Sequence, residues 1–234
     1  MVVPTPSAGL SLPKKPGVPS PSTTSSSASR RPEPIILLSP SASSPIRLSN
    51  IKSFLQDGIY VPPDHPTLAS SATSNIQLIS RHMRLNDSTP AGTAGGPSGG
   101  SGGSGSGSSS TPDSSKRITR FILVDSTTNF KPDYWQRLVA VFTTGQSWQF
   151  KTYKWSNPPE LFRHAAGIYV GMGGEYVPNQ ITEWGRGANT FEVARWDEKK
   201  GVDGAGRWRD REIVENIWAI IEENMRAKGW WNPR

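Results

Sequence analysis

Apolar positions along this chain come in short blocks whose spacing changes between two periods. Residues 34–38, Pro-Ile-Ile-Leu-Leu, form a short apolar run that predicts a buried strand. Leu48, Ile51 and Leu55, with Phe54 beside them, recur at helical spacing. Ser44 as a hydroxyl cap and Pro45 in the first turn predict that helix's start, and Gly58 its stop. Ile76, Leu78 and Ile79 with Arg81, His82 and Arg84 predict a further short helix. Residues 117–124 read as a second strand. Residues 138–142, Leu-Val-Ala-Val-Phe, read as a strand buried on both faces. A helical turn at Asp133, Tyr134 and Trp135 leads into it.

Asn157, Pro158, Pro159 and Glu160 are a helix start, with asparagine as cap, proline in the first turn and glutamate three residues on. Leu161, Phe162, Ala165 and Ala166 form that helix's inner face, and Gly167 is read as its end. A short strand follows at 168–170, then a glycine-rich loop at 171–187. Residues 190–196 alternate as a half-buried strand with Phe191 and Val193 on one face. The last helix is read as capped by Asp210. Ile213, Val214, Ile217, Trp218, Ile220, Ile221 and Met225 give it a wide apolar face. Glu212 and Glu215 near its start and Arg226 and Lys228 near its end suit the helix dipole, and Gly229 ends it. Strands and helices in this order imply an α/β layered fold.

Composition sharpens the boundaries. Hydrophobic residues make up only 34% of the 234, but the deficit sits in two places. Residues 1–33 are rich in proline, serine and threonine, and 88–115 are almost wholly Gly, Ser, Thr, Pro and Ala. Such segments bury too little apolar surface to offset the entropy of ordering, so both are expected to be disordered. The second is read as an insertion interrupting one α/β domain over 34–232. The chain has no cysteine, which removes disulfides, thiolate metal sites and a cysteine nucleophile. No apolar run approaches the roughly 18–20 residues of a membrane span, and no signal-peptide core stands at the start. The net charge of +7 is spread as +3 over 1–33, +1 over 34–90, −1 over 91–115 and +4 over 116–234. No segment is therefore a basic tail that binds nucleic acid by charge alone.

Candidate chemistry concentrates after the central strand. Arg137, Lys151 and Lys154 occur with no acidic residue from 137 to 155, and Trp148, Phe150, Tyr153 and Trp155 are interleaved with them. Cations beside ring faces suit phosphorylated peptides or single-stranded nucleic acid. The competing reading has Trp148 or Trp155 plugging the sheet edge and Arg137 making a strand-end salt bridge. Enzyme signals are at chance level. His65, His82 and His164 form no helical metal pair. His164 reads as a surface residue. The nucleophile-elbow match at 99–103 lies in a glycine–serine tract.

The pattern Arg-Leu-Val-Ala-Val-Phe-x-x-Gly-x-x-Trp-Gln-Phe-Lys from Arg137 resembles the C-terminal domain of the parafibromin family. The runs at 34–40 and 50–58 are similar to the same family. The resemblance covers residues 34–86 and 117–231. It implies a Ras-like, small-GTPase-like α/β fold with a central mixed sheet flanked by helices. It also implies a nuclear, non-enzymatic docking domain of the polymerase-associated-factor complex, with no cofactor and no membrane. The implied partners are the other subunits of that complex, the phosphorylated RNA polymerase II tail, elongation-factor repeats and transcribed chromatin. Arg137 and Trp148 head the expected binding surface, followed by Gln149, Lys151 and Lys154.

A Ras-like fold raises the question of nucleotide hydrolysis. A phosphate-cradling loop needs Gly-x-x-x-x-Gly-Lys-Ser/Thr. The loop after the first strand is Ser-Pro-Ser-Ala-Ser-Ser-Pro over 39–45, without glycine or lysine, and its two prolines remove amide donors. A nucleic-acid-binding module and a degenerate nucleotide-binding switch stand as the alternatives.

Overall fold

Near-continuous apolar runs fold here as parallel strands, which are covered on both faces. The computed structural model describes residues 32–71, 75–84, 116–199 and 207–230. The expectations for residues 1–31 and 88–115 lie outside the described residues. The strands are β1 (Ile35–Leu37), β2 (Gln77–Arg84), β3 (Lys116–Val124), β4 (Leu138–Thr143), β5 (Ala166–Met172) and β6 (Ala188–Val193). The helices are α1 (Tyr134–Arg137), α2 (Pro158–His164), α3 (Asn179–Glu183) and α4 (Trp208–Ala227). They build one six-stranded sheet in the order β2-β3-β1-β4-β5-β6. Only β2 runs antiparallel to its neighbour. This is a Ras-like α/β sheet.

Alternation along β1 divides the core. Ile36 and Leu38 join Phe121, Val139, Phe142 and Ile168 beneath Val214, Ile217, Trp218 and Ile221 of α4. Ile35 and Leu37 join Leu138 and Val141 on the other face, beneath Trp135, Phe150, Tyr153 and Leu161. A bulge between β1 and β4 pairs Ile35 with Leu138 but Ile36 with Ala140, so Val139 and Ala140 both lie on the α4 side.

Several local expectations are corrected. Residues 77–84 are strand β2, because pairing with β3 across a long insertion outweighs the local helical spacing. No helix starts at Pro45. Ser44 Oγ donates to the Ile46 carbonyl (2.7 Å) instead of accepting from an amide. Asn50 then captures the backbone: its Nδ2 donates to the carbonyls of Pro45 (2.7 Å) and Val61 (2.8 Å), and its Oδ1 accepts from the Arg47 amide (2.8 Å). The helix is reduced to residues 51–57, ending in the π-helical turn Ser53–Asp57, and Gly58 stops it at φ 72°. Gly167 belongs to β5, where a Cβ would lie 2.6 Å from the Gly187 carbonyl and 2.7 Å from Phe162. The expected loop at 171–187 contains α3, and β6 ends at Val193, three residues before Trp196.

Asp210 is not the cap of α4; Arg207 precedes the helix. Asp210 lies in the first turn, 1% exposed. Its Oδ2 accepts from the Tyr60 amide (2.9 Å) and from Arg207 Nε (2.5 Å). The Arg207 guanidinium lies over the rings of Tyr60 and Trp196 and donates to the Ala194 carbonyl. One carboxylate therefore ties the chain after the first helix and the exit of β6 to the start of α4. Removing one member of a buried pair strands the other charge, at a cost of about 3–5 kcal/mol. Asp210→Ala is expected to lower unfolding free energy by that amount in urea titration. Trp208→Ala, at a residue 65% exposed, should change it by less than about 0.5 kcal/mol.

Candidate recognition surface

The segment after β4 turns on Gly145, whose φ is 85°. A Cβ there would lie 3.2 Å from both Ile181 and Pro178, so α3 can approach only a glycine. The chain then enters a 3-10 helix, Ser147–Thr152, and runs back along the sheet. A 3-10 helix has three residues per turn, so positions i and i+3 eclipse. That period sorts the side chains. Phe150 is fully buried, and Tyr153, three residues on, is buried beside it with ring centroids 5.6 Å apart. Trp148 and Lys151 share the outward face, with Lys154 at the same spacing just beyond. Trp148 is 47% exposed, and both lysines are exposed.

Gln149 lies on neither of these faces. It is 2% exposed, and its Nε2 donates to the Phe142 carbonyl of β4 (2.9 Å) and to the Tyr153 hydroxyl (3.2 Å). Expected among the contact residues, it instead fastens the 3-10 helix to the strand. Arg137 is half-buried at the opposite end of β4. Its Nε donates to the Glu33 carbonyl (2.8 Å), and its guanidinium lies 5.1 Å from the Tyr134 ring centroid. The strand-end ion pair considered for it is a bond to backbone. Six strand residues at about 3.3 Å each put Arg137 roughly 20 Å from the turn that carries Trp148. The returning segment closes much of that gap, since Tyr153 and Trp155 both pack on Trp135, with centroids 5.8 and 5.9 Å away. Of the five expected residues, Trp148, Lys151 and Lys154 thus share one outward line, Gln149 lies beneath it, and Arg137 stands at the other end of β4.

Two features of this rim escaped sequence reading. Lys154 Nζ lies 4.8 Å above the Trp155 ring, which stacks on His164 at 3.9 Å and 14°. A cation, an indole and an imidazole are therefore layered at one end of the track. At the other end, Pro178 against Gly145 brings in the loop that carries Tyr176, which is 99% exposed. The Trp155–His164 stack and the approach of Pro178 to Gly145 have no local sequence signal, because the partners come from different elements.

The loop after β1 is closed on itself. The Ser41 amide donates to Ser39 Oγ (3.3 Å) and the Ser44 amide to the Ser41 carbonyl (3.1 Å). The Ser41 and Ser43 hydroxyls share a hydrogen bond (2.9 Å). Ser39, Ser41 and Ser44 are all buried. Amides that a phosphate-binding loop would aim at its ligand are spent within the loop here. Among the described residues, no cluster of three or more His, Asp or Glu could hold a metal ion, and no helix is long and apolar enough to cross a membrane.

These features define a class: a Ras-like α/β domain with a self-closed first loop and an exposed track of aromatic and basic residues. Residues 30–224 match the family described as RNA pol II accessory factor, Cdc73 family, C-terminal. The chain is 38% identical over 207 residues to cell division control protein 73 of Schizosaccharomyces pombe, covering 88% of this chain and 46% of that protein. It is 31% identical over 209 residues to cell division control protein 73 of Saccharomyces cerevisiae, covering 89% and 42% respectively. The solved structure described as the conserved domain of yeast Cdc73 aligns with a TM-score of 0.55 at 30% identity, covering 85% of this chain and 99% of that one. The chain belongs to the Cdc73 family, the parafibromin-type family that its sequence resembles, and spans less than half the length of these two relatives.

Burial also sets the pH response of this region. Lys228 Nζ donates to the Leu138 carbonyl at the start of β4 (2.5 Å), and burial pushes its ammonium from 10.5 down to about 8. Burial pushes the phenols of Tyr153 and Tyr60 from 10.0 up to about 12. Between about pH 8 and 10.5 the unfolded lysine holds a proton that the folded one has released, so stability rises with pH. Above 10 the unfolded tyrosines ionise before the folded ones, so stability falls. Urea titrations from pH 7 to 11.5 should therefore show maximum stability near pH 10. Lys228→Met should abolish the rise, and Tyr153→Phe should reduce the fall.

Proposed function

We propose that this chain is a non-enzymatic docking domain of a transcription-elongation assembly, and that it binds phosphorylated, extended peptides along the track from Trp148 to Lys154. The observation that carries this reading is the 3-10 helix, which turns Trp148 and Lys151 outward together while Phe150 and Tyr153 anchor them from below. An indole beside ammonium groups suits a phosphate flanked by aromatic or proline residues, through charge-assisted hydrogen bonds and ring contact. The roughly 20 Å from that turn to Arg137 would suit an extended peptide of about six residues. Arg137 lies at its far end.

Family membership supports the wider setting. The family is described as an RNA polymerase II accessory factor. Under this reading the protein acts in the nucleus with other subunits of the polymerase-associated-factor complex, and its ligands are the phosphorylated polymerase tail and elongation-factor repeats, which help hold the complex on transcribed chromatin. The self-closed loop over 39–45 argues against nucleotide hydrolysis as the use of this Ras-like sheet.

Fluorescence-anisotropy titration with a polymerase-tail repeat peptide tests the reading. The phosphorylated form should bind at least about tenfold more tightly than the unphosphorylated form. Trp148→Ala should weaken binding by roughly tenfold or more, as expected of a central aromatic anchor. Lys151→Ala, Lys154→Ala and Arg137→Ala should each weaken it less. Equal binding of the two peptides would contradict the proposal. A steep salt dependence shared by peptides and oligonucleotides alike would instead mark a nucleic-acid surface.

A further inference from the structure

The loop between β5 and α3 presents an exposed ring from a braced backbone. Residues 173–178 read Gly-Gly-Glu-Tyr-Val-Pro. Tyr176 is 99% exposed and Val177 41% exposed. A single exposed apolar side chain is ordinary on a protein surface; here two adjacent ones stand on a loop held at both ends. The Glu175 amide donates to the Met172 carbonyl (3.0 Å), closing a turn in which Gly174 has φ 79°. The Gly174 amide donates to Glu192 Oε1 of β6 (3.0 Å). Arg195 donates to the Gly173 carbonyl (3.3 Å) and to Glu175 Oε1 (3.0 Å). On the far side the Ile181 amide donates to the Pro178 carbonyl (2.9 Å), and Pro178 lies against Gly145. Little loop ordering therefore opposes the use of Tyr176 and Val177 in binding.

Two contacts lay the next segment beside the track. Gly145 faces Pro178 and Ile181, and Phe150 meets Trp184 edge to face with centroids 5.4 Å apart. Residues 145–150 and 178–184 thus run side by side in the same sense, and Tyr176 and Val177 stand beyond the Gly145 end. Tyr176 is two residues from Pro178 and Trp148 three from Gly145, spans of at most about 7 and 11 Å. Both rings therefore lie within reach of one extended peptide.

Charge divides the two ends. Lys151 and Lys154 make no ion pair among the described residues. The charged groups bonded to the Tyr176 loop offer no free cation, because Arg195 pairs with Glu175 and Glu192 accepts from the loop itself. A phosphate is drawn to the lysine end, and the other end offers a phenol ring and an isopropyl group. Exposed aromatic rings along a track suit the flat ring of proline, whose polyproline II backbone is already extended.

We propose that Tyr176 and Val177 form a second subsite of the track, which takes a proline of the ligand on the Trp148 side of its phosphate. This inference rests on the phosphopeptide reading of the track and adds the residues that select what flanks the phosphate.

The test uses the full chain and labelled phosphoserine peptides flanked on both sides either by prolines or by glycines. Fluorescence anisotropy should show the proline-flanked peptide binding at least about fivefold more tightly. Tyr176→Ala, at an exposed position, should remove most of that preference and leave the dependence on phosphate in place. Val177→Ala should remove part of it, and Lys154→Ala should weaken both peptides by the same factor. A proline preference that survives Tyr176→Ala, or equal binding of the two phosphorylated peptides, would overturn this inference and leave the phosphate dependence of the track standing. Proline-flanked peptides that bind equally with and without phosphate, yet lose affinity in Tyr176→Ala, would overturn the phosphopeptide reading and leave a proline subsite. Absence of binding by any peptide at millimolar concentration would overturn both.

Discussion

A parallel strand at the middle of a sheet must be covered on both faces, and β4 sets that requirement for the whole domain. All six of its residues are buried. Helix α4 covers one face with a long apolar stripe. Among the described residues the other face has no long helix available, because α1 is one turn and α2 is seven residues. Aromatic rings fill the space instead: Trp135, Phe150, Tyr153 and Phe162, several of them edge to face. The segment that shields the core is therefore the same segment that carries the exposed indole and lysines. Its 3-10 period lets one short stretch do both, with Phe150 and Tyr153 turned inward and Trp148 and Lys151 turned outward.

This dual use explains what could and could not be read from the residues. The buried runs that became β1 and β4 were legible, because a strand buried on both faces needs no partner information to look apolar. The apolar face of α4 and its stop at Gly229 were legible for the same reason. Strand β2 was not, since Ile76, Leu78 and Ile79 fit a helix locally and only the distant β3 makes them a strand. Ser44 and Pro45 carry a good helix-start signal, but Asn50 competes for the same backbone and wins with three hydrogen bonds. Asp210 was legible as a residue that matters at the start of α4, but its contact with the Tyr60 amide spans 150 residues and leaves no local trace.

At the recognition surface, residue types were legible and their sorting was not. Trp148, Gln149, Lys151 and Lys154 stand out as a polar and aromatic cluster. That Gln149 turns inward to Phe142 while Trp148 and Lys151 turn outward depends on a helix type that six residues do not announce. The cation–indole–imidazole layers of Lys154, Trp155 and His164 likewise required α2 to be placed. The loop over 39–45 was read correctly as lacking glycine and lysine. The fold adds that its amides and hydroxyls are bonded within the loop, with Ser39, Ser41 and Ser44 buried.

The central claim is that one aromatic segment presents Trp148 to a ligand while its other rings stay sealed in the core. Incorporating 5-fluorotryptophan and recording fluorine NMR tests this directly, with single Trp→Phe variants assigning the signals. The Trp148 resonance should respond to a soluble paramagnetic quencher and shift when phosphorylated peptide is added, while those of Trp135 and Trp218, 7% and 1% exposed, should do neither. A Trp148 signal shielded from quencher and indifferent to peptide, or peptide-induced shifts confined to Trp135 and Trp218, would contradict the account.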